Sequence, residues 1–310
     1  MSTHAFAGGA LPGSRQEDQA GELAAFLARH GRVLALTGAG ISTASGIPDY
    51  RDRDGIRRGK APVQGPDFRS QEAVRKRYWA RSMAGWPLLS QARPNAGHRA
   101  LAQLQAAGRL AAFITQNVDG LHQRAGCEGV LELHGNIHVV ACHGCGATFP
   151  RDAIQSVLEI ANSGLAVAMG EPAPDGDPHL EPEPLAGFRL PQCAHCAGML
   201  MPGVVFFGDG VPRPCAEEAE RRIAQADAVL VAGSSLMVHS AYRLVRAAAE
   251  AGKPVAAVNL GKTRADPLLS LKIEARCEHA LPALCRLLGL VIPAWEPAPP
   301  SAAQASNASS

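Results

Sequence analysis

One pattern recurs along the chain and restricts its architecture: a short apolar run ends in a small polar cluster. Arg32 to Leu36 leads through Thr37 into Gly38-Ala39-Gly40. Leu110 to Thr115 leads into Gln116-Asn117-Val118-Asp119, Ala228 to Ala232 into Gly233-Ser234-Ser235, and Pro254 to Val258 into Asn259-Leu260-Gly261. Apolar runs of this length read as strands. Helical patterns stand between them: Glu17 to His30, a helix opened by Pro94-Asn95 and ended at Gly108, Glu217 to Ala226, and Ser240 to Ala251 before Gly252. A last short helix is expected over Leu281 to Leu288. Strands alternating with helices imply an α/β fold with a parallel sheet and right-handed crossovers. All strand ends then share one edge, where open α/β sheets bind ligands. Glycine, serine and asparagine end strands in any fold. Four clusters that also offer amides, hydroxyls and backbone donors favour a dinucleotide site.

The glycine turn Thr37 to Arg51 reads T-G-A-G-I-S-T-A-S-G-I-P-D-Y-R. Gly38 and Gly40 permit a tight turn and let backbone N–H groups approach an anion. Taken alone, such a turn fits a phosphate cradle and a plain tight connection equally well. It is not G-x-G-x-x-G, and no acidic residue follows a second strand about 20 positions on, as a dinucleotide dehydrogenase would require. A zinc-containing dehydrogenase is therefore disfavoured, although NAD itself is not.

Eight cysteines raise the question of disulfides, but four of them form two C-x-x-C pairs, Cys142/Cys145 and Cys193/Cys196, with 47 residues between. Two knuckles supply four thiolates for a closed tetrahedral site, the structural kind of zinc centre. Two redox pairs are the competing reading. His143 and His195 lie inside the knuckles as bystanders. Cys127, Cys215, Cys277 and Cys285 lack metal-type spacing and read as isolated thiols.

A chain of 310 residues suits one large domain with a small one. Its 46% hydrophobic and 19% charged content is that of an ordinary globular protein. A net charge of +2 argues against a nucleic-acid partner. No apolar run approaches the ~18 residues of a membrane span, and the first residues lack a charged segment followed by an apolar one. The expectation is a cytoplasmic protein with no membrane partner. Residues 1–15 and 291–310 are read as disordered tails, and residues 161–191, rich in Pro, Gly and acids, as a long surface loop. Gln71 to Met83 could be a helix, and Gly203 to Phe207 reads as a strand.

G-A-G-I-S…S-G-I-P-D-Y-R, T-Q-N-V-D-G-L-H, L-H-G, the two C-x-x-C pairs, V-V-F-F-G-D, G-S-S-L and N-L-G, in this order, resemble the sirtuins over about residues 20 to 290. R-Y-W-A-R, G-W-P, P-D-G-D and F-F-G-D look closest to the class II, mitochondrial-type branch. The resemblance implies a Rossmann-type parallel sheet with helices on both faces plus a smaller zinc-binding domain. The large domain would comprise 16–52, 94–138 and 201–290. The small one would comprise a helical segment, 53–93, and a zinc module, 139–200.

The resemblance also implies an activity: protein-lysine deacylation that consumes NAD and yields nicotinamide, O-acyl-ADP-ribose and free lysine. NAD and the acyl-lysine protein or peptide would meet between the two domains, and one structural zinc would serve the small one. His134 matches the family's general base; an imidazole neutral near pH 7 suits that work. Asn117 and Asp119 match residues that hold the nicotinamide carboxamide, and Gln116 a ribose-side contact. Gly38, Ala39, Gly40, Gly233, Ser234 and Ser235 would face the pyrophosphate. Asp49, Tyr50 and Arg51 belong to the loop expected to close over NAD. Asn259, Leu260, Gly261 and Cys277 would line the adenosine end. Val205 and Phe206 lie where acyl-lysine would pass. Tyr78 and Arg81 have the Tyr-x-x-Arg spacing that one branch uses for acidic acyl groups, although the segment around them departs from that branch. The basic residues Arg57, Arg58, Lys60, Arg69, Arg75, Lys76 and Arg77 could equally be a solvated face. Longer or branched acyl groups are expected over acetyl. Lipoamide hydrolysis, mono-ADP-ribosyl transfer to protein and a non-catalytic NAD-binding module remain the alternatives.

Overall fold

The structure, a computed structural model, describes residues 12–58, 62–164 and 185–296. The outer parts of both expected tails, the core of the 161–191 loop with its P-D-G-D run, and Lys60 lie outside the described residues. Helix α1 (Pro12–Arg29) precedes strand β1 (Val33–Thr37), and after α2 (Gly65–Ser70), α3 (Glu72–Gln91) and α4 (Ala96–Ala106) comes β2 (Ala112–Thr115). A short α5 (Leu121–Arg124) leads to β3 (Val130–Glu132), then β4 (Gly135–Cys142), β5 (Thr148–Pro150), α6 (Arg151–Ala161) and β6 (Leu200–Val204). The chain ends through α7 (Arg213–Gln225), β7 (Ala228–Ala232), α8 (His239–Glu250), β8 (Val255–Val258), β9 (Leu271–Ile273) and α9 (Cys277–Leu287).

Six strands form a parallel sheet in the order β3-β2-β1-β7-β8-β9. β1 and β7 are buried along their whole length, as strands covered on both faces must be. Alternate residues serve opposite faces. Val33 and Ala35 pack with Leu23, Leu101 and Leu281 from α1, α4 and α9. Leu34 and Leu36 pack with Ile223 and Val245 from α7 and α8. The chain winds outward from β1 to β3, returns, and winds the other way from β7 to β9. The strand order therefore reverses between β1 and β7, and a crevice opens at such a switch point.

A second, antiparallel sheet has the order β5-β4-β6. Its core joins Val140 and Leu200 to Phe68, Trp79, Leu158 and Phe188. The strand expected over 203–207 begins earlier, at Leu200, and belongs to this small sheet. Three elements of the zinc region, β4, β5 and α6, had no reading from the sequence, nor did β9. The turn after β1 opens no α-helix; two 3-10 turns, Ala39–Ile41 and Thr43–Ser45, follow it.

α3 runs well past the expected end at Met83, through Pro87 to Gln91. A proline leaves the carbonyl four residues back without its helical partner. That carbonyl, Met83 O, accepts from Gln155 Nε2 at 2.9 Å, so α6 completes the helix that proline would otherwise weaken. The loop 161–191 is tied at its base. Arg189 N donates to Asn162 Oδ1 (2.7 Å) and Asn162 Nδ2 donates to Arg189 O (3.1 Å).

Candidate active site

The turn after β1 and the turn after β7 press together. Gly38 N donates to Ala232 O (3.2 Å) and Gly40 N to Gly233 O (2.8 Å). A Cβ on Gly38 would stand 2.8 Å from Ser234 Cβ, and one on Gly40 2.9 Å from Gly233 O. Close approach of two turns, rather than a positive φ, is what these two glycines permit. Both amides are thus committed within the protein instead of waiting for an anion.

This junction floors a cleft of about 590 Å³ at the carboxyl ends of β1, β2, β7 and β8. Ala39, Gly40, Gln116, Asn117 and Asp119 line it, as do Gly233, Ser234, Ser235, Asn259 and Leu260. Asp49, Tyr50 and Arg51 close one side, and Tyr78, Val205 and Phe206 another. Four of the residues expected at the site are not among those that line it: Gly38, Gly261, Cys277 and Arg81. Gly38 contributes its carbonyl to Asn117 Nδ2 (3.2 Å). Gly261 lies against the backbone of Arg53. Cys277 is buried, its thiol donating to Val258 O at 3.6 Å, and burial pushes it up to about 12. The loop carrying Asp49 to Arg51 reaches across to the β8 end, where Lys262 N donates to Arg53 O (2.8 Å) and Lys262 Nζ pairs with Asp54 (3.0 Å).

Polar side chains at the floor are locked to one another. Gln116 Nε2 donates to Ser234 Oγ (2.8 Å) and Thr37 O (3.2 Å). Asn117 Nδ2 donates to Gly38 O and to Ser42 Oγ (3.0 Å), which leaves Oδ1 to accept. Ser42 Oγ donates to Asp119 Oδ2 (2.6 Å), and Leu121 N donates to Asp119 Oδ1 (3.0 Å). Behind this layer lie two buried imidazoles, His98 and His122, to which the motifs assigned no role. Asn95 N donates to His98 Nδ1, so His98 Nε2–H faces Ser42 Oγ at 3.4 Å. Thr37 Oγ1 donates to Thr115 Oγ1 and therefore accepts from His122 Nε2 (2.8 Å). Burial lowers the pKa of both histidines and keeps them neutral. Ser42 and His122 close the motifs G-A-G-I-S and T-Q-N-V-D-G-L-H, whereas His98 lies in none of the quoted motifs.

His134 follows β3 and lines the cleft. Its Nδ1 lies 2.9 Å from Gln116 O, a group that can only accept, so Nδ1 carries the proton and Nε2 the lone pair. Burial lowers its pKa, opposed by the bond to Gln116 O. The result is an imidazole fixed in the tautomer a general base needs. Gly135, with φ +80°, turns the chain sharply into β4 immediately after it.

In the small sheet, Cys142, Cys145, Cys193 and Cys196 place their sulfurs within 4.8 Å of one another. Cys142 and Cys196 are 3.5 Å apart, Cys145 and Cys193 3.7 Å. Zn–S bonds of about 2.3 Å in a tetrahedron require sulfurs roughly 3.8 Å apart, so the cluster fits one structural zinc. Backbone N–H groups of Cys145 and Gly144 point at Cys142 Sγ and hold that thiol down to about 6. His143 and His195 supply no ligand to this cluster.

A model of the Sir2 family matches residues 38–240. The chain belongs to that family. Two of its similar relatives are bacterial. "NAD-dependent protein deacetylase 2" of Bradyrhizobium diazoefficiens is 53% identical over 83% of this chain and 94% of its own. "NAD-dependent protein deacetylase 3" of Pseudomonas syringae pv. tomato is 53% identical over 82% and 91%. Among solved sirtuin structures, a Sir2 complex with a p53 peptide and NAD+ superposes with a TM-score of 0.72 at 30% identity, covering 86% of this chain and 98% of that one. Sir2Tm bound to a propionylated peptide gives 0.68 at 29% identity, over 87% and 99%. No described helix of this sirtuin is long and apolar enough to cross a membrane.

Proposed function

We propose that this chain is an NAD-dependent protein-lysine deacylase. The observation that carries the reading is His134: an imidazole with Nδ1–H pinned to a backbone carbonyl, Nε2 unprotonated, in the crevice where four strand ends converge. The names of its relatives, at about half identity over most of both chains, support the same reaction class.

NAD enters as a consumed substrate. Asn117 offers Oδ1, and Asp119, braced by Ser42, offers a fixed carboxylate edge for the carboxamide of the leaving nicotinamide. His134 Nε2 then takes the proton of a ribose hydroxyl so that the oxygen can attack the activated acyl carbon. The Asp49–Arg51 loop, latched to the β8 end, excludes water during this step. Zinc, held by the four cysteines, braces the β4–β6 sheet and takes no part in proton transfer. Acyl-lysine passes Val205 and Phe206, with Tyr78 beside them. Tyr78 lines the cleft and Arg81 does not, which favours long or branched acyl groups over acidic ones. This agrees with the class II resemblance.

The test is incubation with NAD and a panel of acyl-lysine peptides, with nicotinamide release and peptide mass followed together. Equimolar nicotinamide and deacylated peptide supports the reading. Intact NAD beside every peptide sinks it, and a mass gain on an acceptor protein would assign ADP-ribosyl transfer instead.

A further inference from the structure

The lone pair that the proposed mechanism requires is already taken. His134 Nε2 lies 2.8 Å from Ser240 Oγ. Because Nδ1 bears the ring proton, Nε2 can only accept, so Ser240 is the donor. Ser240 lines the cleft, and no second hydrogen bond to its hydroxyl occurs among the described residues. Its oxygen lone pairs are therefore open to a ligand. An imidazole nitrogen has one lone pair, in the ring plane. A ligand hydroxyl must either displace Ser240 from it or reach it through Ser240.

The polypeptide holds Ser240 firmly against the imidazole. The linker from β7 passes through Gly233 and Leu236, both at positive φ (64° and 55°). Leu236 is fully buried, and its N–H is bound by Ser234 Oγ at 3.2 Å. A buried leucine in the left-handed region persists only where its surroundings over-determine it. Ser240 follows in the first turn of α8. Displacing it would disturb a constrained segment, whereas rotating its hydroxyl would not.

From this geometry we infer that Ser240 is a proton relay between the bound substrate and His134. The inference rests on the deacylase reading. In the step, the O–H bond of the substrate hydroxyl breaks and its proton passes to Ser240 Oγ. The proton already on Ser240 moves to His134 Nε2. The electron pair stays on the substrate oxygen and forms its new bond to the acyl carbon. Ser240 ends as a hydroxyl and His134 as an imidazolium, so atoms and charge balance.

The test uses the full chain and compares wild type with Ser240→Ala, Ser240→Thr and His134→Ala. Nicotinamide and deacylated peptide are assayed, and melting temperature checks folding. The free enzyme is also labelled with 15N-histidine for NMR, a readout independent of turnover. Ser240→Ala is expected to lower kcat by roughly 10²-fold, the scale of one proton-transfer contribution, with KM changed less than about threefold. Ser240→Thr, which keeps the hydroxyl, should regain most of that loss. In the free enzyme Ser240→Ala should move the Nε2 resonance of His134 and leave Nδ1–H in place. The relay is overturned if Ser240→Ala turns over at the wild-type rate or faster, or if its Nε2 resonance does not move. Should wild type leave NAD and every peptide intact, the deacylase reading falls; should His134→Ala also retain full turnover, the role of His134 as the base falls and the relay with it. A dead His134→Ala beside a fully active Ser240→Ala removes the relay alone.

Discussion

At the scale of single residues, histidine tautomers carry most of the chemistry. His134 is the case on which the proposed function turns. Its pKa lies below the ordinary 6.5 because burial disfavours the imidazolium, although the bond to Gln116 O opposes this. A base must be unprotonated. Activity is therefore full above that lowered value and is lost as pH falls through it. The acid limb of kcat/KM is expected to have its midpoint below 6.5, and His134→Ala should cost 10²- to 10⁴-fold in turnover. A pH–rate profile with its midpoint above 6.5 would contradict the assignment. His134 was legible as the residue after a strand within L-H-G. Its partner Ser240 was not, because 106 positions separate them and only the tertiary fold brings the first turn of α8 to the turn after β3.

Among the elements, the zinc knuckles show how one geometry is reached with two residue types. The residue after the second cysteine of each pair is left-handed: Gly146 at φ 74° and Ala197 at φ 56°. Glycine adopts this region freely, whereas alanine is strained there by about 1 kcal/mol. Ala197→Gly should thus leave stability unchanged or raise it by up to about 1 kcal/mol in urea denaturation, with zinc content unchanged. Cys145→Ser acts in the opposite direction. Structural zinc affinity is folding free energy, so this variant should lose metal and melt several degrees lower, and chelator should do the same to wild type. Retention of melting temperature and turnover under chelation would exclude a structural role. The cysteine spacing was readable directly. Among the strands it organises, β5 was not, since its three residues offer too short a run for alternation to register.

Across the whole molecule, the buried polar layer beneath the cleft couples stability to pH. His98 and His122 are neutral and enclosed in the fold, whereas an unfolded chain takes up protons on both below 6.5. The unfolded state therefore binds more protons as pH falls. Stability is fully present above 6.5 and declines below it, by about 1.4 kcal/mol per pH unit for each histidine. Denaturant titrations between pH 7.5 and 5 should show this slope, and His98→Asn should reduce it. An unchanged slope would place the linkage elsewhere. The same layer joins Ser42, Asn117 and Asp119 to α4, so acid should weaken the proposed nicotinamide end together with the fold.

The sequence by itself determined the α/β alternation, the four strand-end clusters and the cysteine tetrad. Each is a local matter: a hydrophobic run, a turn residue, a two-residue spacing. It left the glycine turn open between a phosphate cradle and a tight connection; the N–H groups of Gly38 and Gly40 are taken by carbonyls of β7 and its turn, a contact only the fold supplies. It ended α3 too early, because the partner for Met83 O comes from α6. Tertiary structure alone decided which strand joins which sheet, which of the expected residues reach the cleft, and which hydroxyl meets the base. Those outcomes depend on contacts between residues far apart in the chain, and no local propensity encodes them.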